Sequence, residues 1–210
     1  MHAHNGELEG ARRLARKTIE AFDALRDARG SPLPVVVNSA GCGAHMKEYE
    51  RLLEHDPAWR EQARAFSSRV VDFSQALCAP QARQRLADRL REHPARTITY
   101  DDPCHLCHGQ AVRNEPRLLL DLLPGVKRVE LESSESCCGS AGIYSLLRPK
   151  DSARILEQKL TALRSSGADL LVTANPGCQM QWQAGIAQAG LAVEVVHIAE
   201  LIARHLDGPS

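Results

Sequence analysis

The sequence has few aromatic residues, no excess of charge of either sign and no long apolar run. Phe, Trp and Tyr make up only 4% of the 210 residues, which argues against a surface that stacks nucleic-acid bases. Lys plus Arg equals Asp plus Glu at 26 each, so the charge balance does not favour nucleic acid or an anionic membrane as a partner. No apolar stretch approaches the ~20 residues that span a bilayer. We therefore expect no nucleic-acid partner and no transmembrane segment.

Export and nucleotide-binding signals are also missing. The start of the chain, residues 1–7, lacks the basic-then-apolar pattern of a signal peptide, which predicts a cytoplasmic protein. Neither G-x-G-x-x-G nor G-x-x-x-x-G-K-[ST] occurs, so no dinucleotide-binding or phosphate-binding loop is indicated. The seven cysteines are an odd number without an export signal, so we do not expect a disulfide framework. Metal ligation, redox chemistry and inert burial remain open for them.

The most informative feature that is present is the run Cys137-Cys138-Gly139, with further cysteines far away on both sides. Thirty-two residues separate Cys104 from Cys137, and thirty-nine separate Cys138 from Cys178. Adjacent thiols with distant partners suit a multi-iron cluster, since neighbouring side chains can reach different metal atoms. A single zinc ion more often takes its thiolates from short C-x₂₋₄-C knuckles. The spacing therefore predicts a [4Fe–4S] cluster with one thiolate per iron, and zinc is the alternative.

Three further residues lie beside Cys104. If a helix begins at Cys104, Cys107 lies one turn further on and would ligate, replace a ligand or simply pack. His105 and His108 flank the same turn, and we expect them at the surface or around the ligands rather than on iron. Cys78, which stands apart from this set, is predicted to be a buried structural cysteine.

Three glycines accompany the cysteine motifs: Gly139, Gly142 and Gly177. They would let backbone amides approach the cluster and donate hydrogen bonds to its sulfides, and such bonds tune a reduction potential. Ordinary turn chemistry explains the same residues, and both roles are compatible.

Two segments of the chain look alike. Residues 34–42 and 170–178 are both short apolar runs that end in Asn and a glycine-bearing turn with a cysteine. We interpret this likeness as two tandem Rossmann-like repeats with mainly parallel sheets, an α/β fold whose first repeat is truncated at its N-terminus. The predicted organisation is a partial first repeat over 1–78, a helical linker over 79–95 and a complete second repeat over 96–206.

The second repeat alternates predicted strands and helices. Cys104, Cys137 and Cys178 each follow a predicted strand, the one before Cys137 covering residues 127–131. Because the carboxyl ends of parallel strands share one edge of a sheet, we expect these thiols to converge there.

Four sequence motifs together resemble a known family. They are DPCHLCHGQ at 102–110, CCGSAGIY at 137–144, NPGC at 175–178 and NSAGCGA at 38–44. They resemble the cysteine-rich CCG domain of heterodisulfide reductase B subunits, lactate-utilisation iron–sulfur proteins and glycolate oxidase iron–sulfur subunits. The resemblance is strongest to the C-terminal region of the last group and covers nearly the whole chain.

The resemblance implies an iron–sulfur electron-transfer subunit, or a fragment of one, rather than a catalytic flavin subunit. Its partner would be an FAD-containing subunit that oxidises glycolate or a related 2-hydroxy acid, with a separate ferredoxin-like chain as a second partner. Such an assembly would be cytoplasmic, or peripheral to the inner membrane through its partners.

This sequence also departs from the family pattern. The ferredoxin-like motifs and the paired cysteines of the first repeat do not occur. Cys42, a candidate additional ligand or a neighbour of the ligands, is therefore without partners in its repeat. Gln181 stands where several relatives have the last cysteine of a C-x-x-C. A thiol/disulfide redox enzyme of the heterodisulfide reductase type and a zinc-binding docking module therefore stay open as alternatives.

Overall fold

The structure is a computed structural model that describes residues 3–207; the first two residues of the predicted unit 1–78 lie outside the described residues. Strands and helices alternate along the chain, and the strands of both sheets pair in parallel. The predicted α/β class with mainly parallel sheets is therefore confirmed.

Before residue 96 the described chain forms a short 3₁₀ turn at Ala3–Asn5, six helices and two strands. These are α1 (Leu8–Asp23), β1 (Val35–Val37), α2 (Ala40–Lys47), α3 (Tyr49–Leu52), α4 (Arg60–Arg69), β2 (Val70–Asp72), α5 (Phe73–Cys78) and α6 (Pro80–Ala87). Residues 96–207 form β3 (Arg96–Asp101), α7 (Cys104–Cys107), α8 (Asn114–Leu120), β4 (Val126–Val129), α9 (Tyr144–Leu147), α10 (Pro149–Ser166), β5 (Leu170–Thr173), α11 (Pro176–Gln188), β6 (Glu194–His197) and α12 (Ile198–Asp207).

The first sheet consists of β1 and β2, with Val35 opposite Val70 and Val37 opposite Asp72. Each of these strands has only three residues, so the helices around them supply most of the apolar surface. The buried members of this core are Ala15, Ile19, Val35, Tyr49, Leu53, Ala63, Phe66 and Val70.

The second sheet has the strand order β4-β3-β5-β6. The chain moves from β3 to β4 on one side and then returns to β5 on the other side of β3. The direction of winding therefore reverses between β3 and β5. Open parallel sheets bind their ligands beyond the carboxyl ends of the strands at such a reversal.

Helices cover both faces of the second sheet. In β5, Leu170 and Val172 pack with α8 and α12, whereas Leu171 faces the opposite side and packs with α10 and α11. Because both faces are buried, β5 is apolar along most of its length instead of alternating with polar residues.

Helix α5 connects the two sheets. Phe73, Leu77 and Cys78 pack against the core on the α8 side of the second sheet. Cys78 is half-buried, and its thiol lies 3.4 Å from the carbonyl oxygen of Glu115 in a weak hydrogen bond.

Within the predicted linker 79–95, α6 is helical but residues 88–95 are not. Pro94 disfavours a helical residue before it, which is consistent with the extended entry into β3. The boundaries at 78 and 95 and the interpretation as tandem repeats stay predictions. Across residues 3–207, every helix is too short or too polar to cross a bilayer.

Candidate metal centre

Cys104 is positioned by the end of strand β3. Directly after this strand, the Asp102 carboxylate accepts hydrogen bonds of 2.8 and 2.6 Å from Arg117 and one of 2.7 Å from the Ser134 hydroxyl. Burial alone raises the pKa of Asp102, but these hydrogen bonds outweigh it and hold the pKa below its ordinary value. The anchored carboxylate fixes the chain just before Cys104, and it also ties the loop that contains Ser134 to this strand end.

The CCG loop, which we define as residues 130–143, presents Cys137 and Cys138. Strand β4 ends at Val129, so the predicted strand 127–131 is too long and Cys137 does not follow it directly. The reason is the polar content of the loop: Glu130 pairs with Arg117 and Arg128 instead of continuing the sheet. The loop then carries the cysteines back toward β3.

Gly139 lets the CCG loop turn tightly against helix α10. Its φ is +87°, and a Cβ at this position would lie 2.6 Å from the carbonyl oxygen of Ser152. The Ser152 hydroxyl donates to the Gly139 carbonyl at 2.9 Å and accepts from the Gln181 amide at 2.8 Å. Gln181 therefore braces the CCG loop from α11. Gly142 also has a positive φ, +63°, but open space around it.

Cys178 lies in the first turn of α11, immediately after β5. The Asn175 side-chain amide donates to the Cys178 sulfur at 3.4 Å, and its oxygen accepts the backbone N–H of Gly41 at 3.1 Å. Gly177 allows this turn to approach the CCG loop, because a Cβ there would lie 3.1 Å from the Ser140 hydroxyl. A single amide side chain thus connects the Cys178 sulfur to the start of α2.

The four predicted ligands Cys104, Cys137, Cys138 and Cys178 come together beyond the carboxyl ends of the strands, and we call them the four-thiol site. Cys137 hydrogen-bonds with Cys104 and with Cys138, and Cys138 hydrogen-bonds in turn with Cys178. The expected convergence is therefore present, on both sides of the reversal between β3 and β5.

Electrostatics within the four-thiol site favour a thiolate at Cys137. Hydrogen bonds from the Cys104 and Cys138 thiols, together with the Gly139 N–H at 3.3 Å, lower the pKa of Cys137 well below its ordinary value. The same hydrogen bonds and burial raise the pKa values of Cys104 and Cys138. The thiolate is the metal-binding form of cysteine, so the hydrogen bonds that lower the pKa of Cys137 favour its candidate role as a ligand.

The donor set fits an iron–sulfur cluster. Four sulfur donors from three separate chain segments are neighbours, and backbone and side-chain N–H groups point at two of them. Within residues 3–207 no three His, Cys, Asp or Glu side chains are arranged to hold one metal ion. Four neighbouring thiols at one edge of the sheet can supply one thiolate to each iron of a cluster.

The other predicted residues lie around or away from the four-thiol site. His105 Nδ1 is 3.7 Å from the Cys104 sulfur, whereas the His108 ring contacts the Glu135 carbonyl oxygen and Arg113 at the surface. Cys107 is buried, burial raises its pKa, and its thiol lies 3.8 Å from the Cys104 carbonyl oxygen. Cys42 is exposed on α2.

One residue of the site region is missing from the sequence predictions. Lys159 is only 2% exposed, and its ammonium contacts the backbone of the CCG loop and the Asp101 carboxylate. A signal was present in the sequence: Lys159 lies on the apolar face of α10, between Leu156, Leu160 and Leu163. A charge in that position indicates a buried partner.

A surface cleft of about 610 Å³ reaches the site. It runs between α10 and the CCG loop, and its walls include Ser136, Cys137, Ile155 and Lys159. The cleft therefore gives solvent access to the Cys137 side of the site.

The reversed parallel sheet with thiols gathered at its edge defines a cysteine-rich α/β domain. In agreement, the CCG family, described as "Cysteine-rich domain", matches residues 98–183. Three curated relatives place the chain more closely.

The "Probable glycolate oxidase iron-sulfur subunit" of Bacillus subtilis (strain 168) is 42% identical, over 96% of this chain and 44% of the relative. "Lactate utilization protein A" of Shouchella clausii (strain KSM-K16) is 31% identical, over 95% of this chain and 79% of the relative. The "Glycolate oxidase iron-sulfur subunit" of Escherichia coli (strain K12) is 30% identical, over 97% of this chain and 46% of the relative.

The chain belongs to the family that contains these glycolate oxidase iron–sulfur subunits and lactate utilization proteins. It spans about half the length of the two glycolate oxidase relatives.

Proposed function

We propose that this chain is the cluster-binding part of an iron–sulfur electron-transfer subunit. The observation that carries the proposal is the contact of four thiols from distant positions at the reversal of a parallel sheet. Cys104, Cys137, Cys138 and Cys178 would hold one [4Fe–4S] cluster, which supplies one-electron transfer when bound.

The surrounding residues would position and tune these ligands. The Gly139 N–H and the Asn175 amide donate to the sulfurs of Cys137 and Cys178, and hydrogen bonds of this kind stabilise the more negative, reduced state. His105 lies next to Cys104 as a neighbour of the ligand set. Gly142 and Gly177 would shape the turns that bring the loop and helix α11 together.

The relatives named glycolate oxidase iron-sulfur subunit and lactate utilization protein A support a proposal for the partner and the substrate. Oxidation of a 2-hydroxy acid releases two electrons, and a one-electron carrier accepts them singly from a flavin. We therefore propose an FAD-containing subunit that oxidises glycolate or a related 2-hydroxy acid, and a ferredoxin-like chain or region as the second electron carrier. The assembly would be cytoplasmic or would touch the inner membrane through its partners.

Anaerobic reconstitution tests the cofactor. The purified chain, loaded with iron and sulfide, is expected to retain about four irons and four sulfides per chain and to give a paramagnetic signal after reduction. Cys107→Ser, a buried cysteine outside the four-thiol site, serves as the control and should load like the wild type. Recovery of neither iron nor sulfide would overturn the proposal.

Two other outcomes of the reconstitution would favour one of the alternative functions. A colourless protein with one zinc per chain would favour the docking module, and turnover of disulfide substrates by the reduced loaded chain would favour a thiol/disulfide enzyme. The partner is tested separately, by mixing the loaded chain with a glycolate-oxidising flavoprotein and following bleaching of the chromophore after glycolate is added.

A further inference from the structure

Lys159 places a buried positive charge directly behind the CCG loop. Its ammonium lies 2.7 Å from the carbonyl oxygen of Ser134, 2.6 Å from that of Ser136 and 3.5 Å from that of Ser133. The fourth contact is the Asp101 carboxylate at 2.6 Å, itself only 1% exposed. Ser136 immediately precedes Cys137, so the ammonium is attached to the segment that delivers this ligand.

Packing alone does not account for this lysine. Its neighbours on the same helix face are Leu156, Leu160 and Leu163, and an apolar residue of similar length would fill the space without desolvating a charge. A buried ion pair contributes little net stability compared with well-packed apolar residues. The pair is also directional, because the ammonium contacts the CCG loop whereas the carboxylate belongs to the end of β3 and accepts from Thr173.

We propose that Lys159 is a positioning residue that fixes Cys137 through the loop carbonyls and raises the reduction potential of the bound cluster. The inference rests on the proposed function. Reduction adds one electron to a cluster that already carries negative thiolates, and a nearby buried ammonium stabilises the added charge. No bond forms or breaks in this step, and no proton is required.

Two substitutions with opposite expected effects on the reduction potential test the proposal on the reconstituted chain. The potential is measured by potentiometric titration of the visible and paramagnetic signals. Lys159→Met removes the ammonium and should lower the potential, with at least a tenfold weaker reduction equilibrium, or about 59 mV for one electron. Asp101→Asn removes the opposing carboxylate while three carbonyls still hold the ammonium, and should raise the potential. Lys127→Met, which removes an exposed lysine from β4, is the control and should leave the potential unchanged.

The sign of the two shifts separates an electrostatic role from a structural one. If both substitutions move the potential in the same direction, or neither moves it, the proposal is overturned. A wild-type chain that retains no cluster would instead overturn the proposed function itself.

A double variant covers the case in which the single variants do not fold. Replacing the pair by apolar residues, Lys159→Met with Asp101→Leu, leaves no uncompensated buried charge and should fold. Its potential should lie below that of the wild type, because the ammonium is the end of the pair that contacts the CCG loop. A double variant with the wild-type potential would contradict the inference.

Discussion

Two strand–turn–helix segments of this molecule place a cysteine in the same way and with different results. β1 leads through Asn38 into α2, whose third residue is Cys42, and β5 leads through Asn175 into α11, whose third residue is Cys178. Cys42 is exposed, whereas Cys178 is 5% exposed and contacts the Cys138 thiol.

The difference lies in what stands beside each segment. β5 is next to β3, so Cys178 meets Cys104 and the CCG loop across the reversal of the sheet. β1 pairs with β2, which ends in Asp72 and passes straight into α5. A cysteine in the first turn of a helix after a parallel strand is therefore not sufficient for a multi-thiol site. The ends of the neighbouring strands decide whether other thiols lie close to it.

Replacing each of the two cysteines by alanine, in separate variants, gives the largest expected difference in retained iron. Cys178→Ala removes one of the four proposed ligands and should lower the iron retained after reconstitution and gel filtration by about tenfold or more. Cys42→Ala should retain as much iron as the wild type, because its thiol is outside the four-thiol site. Equal losses in both variants would contradict the difference between the two segments.

The two asparagines provide a second, smaller contrast. Asn175→Ala removes the hydrogen bond to the Cys178 sulfur and the acceptor of the Gly41 N–H, and loss of such supporting contacts typically weakens metal binding about 10-fold to 100-fold. Cluster release under a chelator should therefore be faster. Asn38→Ala changes the asparagine that directly follows β1, four residues before Cys42, and serves as the control; this variant should release its cluster at the wild-type rate.

Alanine substitutions at the helix glycines next to the two cysteines should have different effects on the free energy of unfolding. A Cβ at Gly41 would meet its nearest neighbour at 3.6 Å, an ordinary contact, so Gly41→Ala should raise the free energy of unfolding by about 0.5–1 kcal/mol. A Cβ at Gly177 would lie 3.1 Å from the Ser140 hydroxyl and 3.3 Å from the Asn175 amide. Gly177→Ala should lose that gain because it displaces the amide that contacts Cys178. Urea denaturation of the cluster-free chain measures both.

His197 caps helix α12 and Asp72 caps helix α5. Protonation of these two residues should change the stability of the fold in opposite directions. His197 Nδ1 accepts the Ala199 N–H, and burial lowers the pKa of His197 below its ordinary 6.5. Below about pH 6.5 the unfolded chain therefore binds the proton first, and the stability that neutral His197 contributes falls as pH falls. Asp72 Oδ1 accepts the Ser74 N–H in the corresponding place, but burial raises the pKa of Asp72, so acidification favours the folded form there.

Urea denaturation at several pH values tests this contrast. His197→Asn keeps a capping acceptor and should lose less stability between neutral pH and about pH 5.5 than the wild type. Asp72→Asn should lose the stabilisation that acidification brings at lower pH. Two variants with the same pH dependence as the wild type would count against both assignments.

Part of this architecture could be predicted from the sequence. The apolar runs before Cys104 and Cys178 predict parallel strands, and strands of one parallel sheet bring their carboxyl ends together, so the convergence of the thiols follows. The periodicity of apolar residues indicates which face of a helix or strand a residue occupies, but not which residue it contacts there. The Asp101 partner of Lys159, the Gly41 contact of Asn175 and the length of the CCG loop depend on tertiary packing, and they emerge only from the structure.

The distance along the chain between the proposed ligands has a consequence for how the protein would mature. Cys104 and Cys178 are 74 positions apart, and bringing such distant residues together in an unfolded chain costs about 4 kcal/mol of closure entropy. We therefore expect the thiols to meet after β3 and β5 have paired, so that the site forms in the folded polypeptide. A bound iron–sulfur cluster would act as a crosslink across the sheet. Oxidative loss of its iron would therefore be followed by faster unfolding and degradation of the chain.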